Sequence, residues 1–143
     1  MITSRNHILK SLSILTLLIF ASTSLLIAQG QTAPQEVEGK SLLDVVETHE
    51  KTEKFSEVLN ASGFARVLKQ AGPYTVIAPN NEAIDNVDSK LKEQPKELMK
   101  GQLYQGEIST EDVENQLGVT IEDKDESAAN GVVYVVDKVS TGR

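Results

Sequence analysis

His49 is the sole imidazole in residues 31–143, and it stands among Glu47, Glu50 and Glu53. A hydrolytic triad needs a nucleophile, a histidine and an acid that orients it. Acids are plentiful here, but the chain holds neither a G-x-S-x-G elbow nor an H-E-x-x-H pair. A histidine-based metal site needs at least one more imidazole, so His49 reads as a solvent-exposed polar residue at a helix end. Cysteine is absent, which excludes disulfides, thiolate zinc sites, iron–sulfur clusters, cysteine nucleophiles and the lipid-bearing cysteine of a bacterial lipoprotein. Asp123-x-Asp125-x-Ser127 opens like a calcium loop, yet such a loop needs Gly at its sixth position and Glu at its twelfth. Ala128 and Tyr134 stand there. The expectation is therefore no catalytic residue, no metal and no cofactor.

Two polar groupings remain. Asn60-Ala61-Ser62 is an N-glycosylation sequon, meaningful only in a eukaryotic host; its other reading is a helix end before Gly63. Asn80 and Asn81 follow Pro79 where a strand gives way to a helix. They read either as caps or as members of a binding corner. Five aromatics serve residues 31–143: Phe55, Phe64, Tyr74, Tyr104 and Tyr134. Phe55 and Phe64 have core spacing, so a stacking platform for sugars or bases is poorly supplied.

These groups must be positioned by short elements. Ser41 and Asp44 form an S-x-x-D cap ahead of Leu42, Leu43, Val45 and Val46, predicting a helix of about nine residues that ends near His49. Phe55, Val58 and Leu59, then Phe64, Val67 and Leu68, each share one helical face on either side of Gly63. Gly72-Pro73 stops this helical opening. Residues 74–78 are β-branched and aromatic, a strand. Asn80 then caps a predicted helix over 81–91, and a second helix is predicted over 96–104. Ser109 and Asp112 cap a third before Val113 and Leu117. Residues 119–121 read as a strand, 123–130 as a polar loop, and 131–139 as a strand whose five consecutive apolar residues require cover on both faces. Helices, strand, helices, strands is an α+β order.

Composition separates the leader from the domain. Residues 11–28 carry no charge, and Ala28 and Gly30 have the spacing of a signal-peptidase site. Residues 1–30 thus read as a signal peptide; the rival reading is an uncleaved anchor, since eighteen uncharged residues nearly span a bilayer. Residues 31–40 read as a flexible lead-in, and 41–140 as the domain. Arg5 and Lys10 are the only Lys or Arg before residue 31. The remaining 113 residues therefore hold 12 bases against 21 acids, a formal charge of −9. Such a surface repels phosphate backbones, so nucleic acid is not an expected partner.

The sequence Gly72-Pro73-Tyr74-Thr75-Val76-Ile77-Ala78-Pro79-Asn80-Asn81-Glu82-Ala83-Ile84 resembles the opening signature of the fasciclin (FAS1) family, G-P-x-T-V-F-A-P-T-[DN]-E-A-F. Residues 130–139, Asn-Gly-Val-Val-Tyr-Val-Val-Asp-Lys-Val, resemble its closing box, N-G-V-I-H-V-I-D-x-V-L. With the helical opening, the likeness covers roughly 40–140. Ile77, Asn80 and Ile84 replace the usual Phe, Thr and Phe. The family's Tyr-His pair falls on Gly101-Gln102 and is missing, so adhesion motifs placed around it do not carry over. Only 118–130 fills a gap where the family has further strands. The resemblance therefore implies a fasciclin-like fold with N-terminal short helices packed on a reduced β-sheet or β-wedge.

It also implies a secreted or envelope module, extracellular or periplasmic. Such a module is non-catalytic and mediates adhesion to protein, matrix or surface polysaccharide. The alternative is an exported carrier of a small ligand or lipid. No stable membrane insertion is expected after cleavage, and self-association remains open. The shortened region places Val119, Thr120, Ile121 and Glu122 near an exposed sheet edge suited to strand addition. With the corner of Pro79, Asn80, Asn81 and Glu82, they make the expected binding surface, unless the lead-in covers the edge.

Overall fold

Ser41 and Asp44 close the reciprocal cap that their spacing predicts. In the computed structural model, which describes residues 35–141, the Asp44 amide donates to Ser41 Oγ at 3.3 Å and the Ser41 amide to Asp44 Oδ2 at 2.8 Å. The first helix, α1 (Leu42–Thr48), buries Leu42, Leu43, Val45 and Val46. A 3-10 turn, Glu50–Thr52, leads into α2 (Glu53–Ser62), which buries Phe55 and Leu59 and ends at Gly63 with φ 81°. That left-handed position suits a residue without Cβ. The third piece, Phe64–Lys69, is 3-10 and buries Leu68. The expected leader lies outside the described residues.

Strand β1 (Tyr74–Pro79) follows, then helices α3 (Asn81–Asp85), α4 (Ser89–Lys92) and α5 (Pro95–Met99). The helix predicted over 81–91 is thus two helices. Asp88 takes an extended conformation and caps the Lys90 amide at 2.8 Å, so the chain restarts although Ile84, Val87 and Leu91 keep helical spacing. The helix predicted over 96–104 stops at Met99. Leu103–Gln105 instead forms β2, drawn out by antiparallel pairing of Thr75 with Tyr104. Beyond it lie α6 (Thr110–Leu117), capped by Ser109, then β3 (Ile121–Asp125) and β4 (Gly131–Val136). The strand expected at 119–121 therefore begins two residues later and runs through the charges read as loop, while the closing strand ends at Val136.

The sheet order is β2-β1-β4-β3. β4 runs parallel to β1, Val76 beside Val133, and antiparallel to β3. Being central, it is covered on both faces, as its apolar run requires: residues 132–136 are all buried. One face carries α1, α2 and α5, with Val76, Ala78 and Val133 packed among Leu42, Phe55, Leu59 and Met99. The other is smaller, with Ile77, Val132, Tyr134 and Val136 beneath Val113 of α6 and Val119. The class is α+β with a four-stranded mixed sheet.

Asn130, buried at the start of β4, ties the layers. Its Oδ1 accepts the Leu42 amide, and its Nδ2 donates to the carbonyls of Leu68 and Gln70, each at 2.8 Å. Gly131, with φ 154°, lies so close to β1 that a Cβ would collide with the Tyr74 carbonyl. Gln102, where the family's Tyr-His pair is missing, is fully buried. Its amide donates to Ser140 O at 2.6 Å and fastens the segment after β4.

Candidate interaction surface

Asn80 and Asn81 act as connectors. Asn80 Oδ1 accepts the Ala83 amide at 2.7 Å, capping α3, while its Nδ2 donates to Glu122 Oε1 of β3 at 2.9 Å. Asn81 Oδ1 accepts the Lys54 amide at 3.0 Å and its Nδ2 donates to Glu50 O at 3.1 Å, fixing the start of α2. Lys51 Nζ adds a 3.5 Å ion pair to Glu122. The structure thus brings the 79–82 corner against the β3 edge, joined through Asn80 and Glu122. Glu82 and Thr120 are exposed, and Ile121 is half-buried. Pro79 and Val119 are buried, so their side chains offer a partner nothing: Pro79 ends a central strand, and Val119 packs with Val113 and Tyr134.

His49 is not the solvated residue its acidic neighbours indicated. Only 17% of its side chain is exposed, and Nε2 lies 3.1 Å from Asp123 Oδ2. Nδ1 accepts the Lys51 amide at 3.3 Å, which puts the neutral ring's proton on Nε2, donating to Asp123. That bond, with the Lys124 amide on the same carboxylate, holds the Asp123 carboxyl below its ordinary range.

At the β3 edge the amides are engaged from within. Thr120 N–H donates to Asp137 Oδ1 at 2.7 Å, Lys124 N–H to Asp123 Oδ1 at 2.8 Å, and Ile121 N–H makes a long 3.5 Å contact to Glu114 Oε1. A register irregularity between Ile121 and Asp123 further bends the edge. Donors needed for strand addition at these three positions are already taken. The described part of the lead-in lies elsewhere: Ala71 N–H donates to Gln35 O and Val37 N–H to Lys69 O, so residues 35–37, read as flexible, are paired with 69–71.

Sequence reasoning missed a cleft of about 900 Å³. Four distant segments wall it: the paired lead-in at Val37, Gly72-Pro73, the approach to α6 at 107–110, and the β3–β4 hairpin. Val132 and Tyr134 lie beneath, Tyr134 donating its hydroxyl to Ile108 O at 2.9 Å. Lys124 Nζ stands 2.8 Å from Glu126 and 5.7 Å from the Tyr134 ring centroid. Glu126 above all raises the Lys124 pKa. The only sequence signal toward this cleft is that Gly72-Pro73 and Asn130-Gly131, from the two signature boxes, meet at its wall.

Among the described residues, no group of three or more His, Asp or Glu is placed to hold a metal ion, and every buried side-chain polar atom has a hydrogen-bond partner. Asp123 and Asp125 of the calcium-like run spend oxygens on the Lys124 and Ser127 amides.

This arrangement of short helices over a four-stranded mixed sheet, opened by the Gly72-Pro73 strand, is consistent with a fasciclin-like α+β fold. Residues 50–116 match the family described as Fasciclin domain, so this stretch of the chain is similar to a fasciclin domain. The match takes in α2 to nearly all of α6 and so includes the opening signature, while the closing box rests on its own residues. No curated protein matches the sequence significantly.

Proposed function

We propose that this protein is an exported, non-catalytic adhesion module that attaches to a protein, matrix or surface polysaccharide. The fasciclin match over residues 50–116 carries the reading. The site chemistry supports it: His49, Asn80 and Asn81 are all committed to holding elements together. Export rests on the uncharged run at 11–28, with Ala28 and Gly30 at its end. No helix among the described residues is long and apolar enough to cross a membrane. Intact-mass measurement of the exported protein should give a chain beginning near Gln31; a mass retaining residues 11–28 would rule out cleavage. The function itself is tested by coating a surface with the purified protein and counting attached host cells. Native protein must hold several-fold more cells than heat-unfolded protein; equal counts refute adhesion.

The cleft favours a second reading, an exported carrier of a small ligand. Native mass spectrometry separates the two, because a carrier purified from its host retains an added mass. An acyl chain suits this cleft poorly, since it is open and Glu107, Lys124 and Glu126 line it.

A further inference from the structure

The cleft has a chemistry that chooses among adhesive partners. Pro73, Ile108 and Val132 give its lining an apolar part, and its volume lies in the range of sites that enclose most of a small ligand. Among the described residues Lys124 is the one basic residue lining it, and that ammonium is engaged by Glu126 and the Tyr134 ring. Glu107, exposed at the rim, enters no salt bridge among the described residues. Its charge also acts on the Lys124 ammonium, so two acids stand against one base at the cleft and a net negative charge faces an incoming partner.

Three partner classes fail on these facts. A polyanion meets Glu107, Glu126 and a domain with a formal charge of −9. A neutral saccharide binds by laying a sugar face on an aromatic ring, but Tyr134, the only aromatic lining the cleft among the described residues, is 2% exposed and lies under Lys124. An acyl chain would have to bring its apolar surface past a charged rim. A polypeptide meets none of these obstacles. The short side chains of Ala128 and Ala129 keep that part of the wall low enough for a main chain to approach, and apolar side chains can reach Val132 while a basic one meets Glu107.

We propose that the cleft docks an extended segment of a partner protein bearing apolar and basic side chains, with Glu107 as the anchor for a lysine or arginine. This rests on the adhesion reading and narrows its partner to protein. The test is amide chemical-shift mapping on the exported protein with three probes. Two are octapeptides with the same apolar residues, one with three lysines and one with three glutamates; the third is cellohexaose. The lysine peptide should shift the amides of Gly72, Glu107, Ile108, Lys124 and Gly131, with affinity falling at least tenfold in Glu107→Lys. The glutamate peptide and cellohexaose should shift none of them.

Lysine-peptide shifts that lie elsewhere, that are absent, or that persist undiminished in both Glu107→Lys and the cleft-filling Thr110→Trp overturn the proposal. So do cleft shifts produced by cellohexaose. Cell attachment separates the two levels. If both variants attach cells as the parent does, the cleft is refuted and adhesion stands. If the parent itself attaches none, the adhesion reading fails first.

Discussion

Replacing Asn130 by alanine should be among the most damaging single changes outside the apolar core. Its side chain makes three hydrogen bonds of 2.8 Å, to the Leu42 amide and to the Leu68 and Gln70 carbonyls. Truncation strands all three groups, each at about 1–3 kcal/mol if it stays dry. The Gln70 bond is only part-buried, so water can take it over and most of the loss comes from Leu42 N–H and Leu68 O. The expected cost is about 2–5 kcal/mol, a large share of the ~5–15 kcal/mol that holds a domain of this size. Urea unfolding followed by circular dichroism should show a lower midpoint at unchanged slope.

Asn130→Asp provides the sharper control, because it keeps the volume and the acceptor for Leu42. At neutral pH, however, it sets a carboxylate oxygen against the Leu68 and Gln70 carbonyls. Burial there raises the aspartate pKa in the folded state. Folding of this variant is therefore least impaired below the unfolded value of about 4, and it is penalised as pH rises past that point. A loss under about 1 kcal/mol in Asn130→Ala, or an Asn130→Asp protein as stable as the parent at pH 7, would refute the accounting.

Three further outcomes are expected. Val135→Asp should abolish folding, since Val135 is fully buried between Ala78 and Asp123 on the central strand and an unpaired buried charge costs several kcal/mol; a soluble mutant with a cooperative melt would contradict this. Asp44, Asp123 and Asp125 are held below the ordinary 3.8, by the Ser41 hydroxyl, the His49 ring and the Ser127 hydroxyl respectively. Each contributes stability above that value and loses it as pH falls through its lower folded value. The urea midpoint should then drop below about pH 4, and His49→Ala should flatten the drop. EDTA and calcium should both leave the melting temperature unchanged; a rise of several degrees with calcium would mean that the oxygens of Asp123 and Asp125 prefer the ion to the Lys124 and Ser127 amides.

Local signals were readable in the sequence. Ser41-x-x-Asp44 caps α1 as its spacing says, and the apolar run of β4 is central as its composition demands. What failed was set by distant partners. Leu103–Gln105 looks like the end of a helix until β1, some thirty residues earlier, offers it a ladder. Ile84, Val87 and Leu91 keep a helical period across a break that Asp88 imposes by capping. The candidate surface was less legible still. His49 gives no sign of Asp123, 74 residues away, and the cleft has walls from four segments whose meeting no local pattern announces, although two of them carry the signature boxes.

The parallel pairing of β1 with β4 fixes the order in which this molecule can be completed. Tyr74 is registered with Gly131 and Pro79 with Val136, so the centre of the sheet closes a loop of more than fifty residues. Emerging from its amino end, the chain presents α1, α2 and β1 long before the strand that must lie beside them. Leu42, Phe55 and Val76 then have no Val133 to pack against. Closing so long a loop is entropically slow, and until it closes the helical cluster of Leu42, Phe55, Leu59 and Leu68 lacks its sheet-side partner Val133. The final strand acts as a latch: until it lies between β1 and β3, the centre of the sheet stays open.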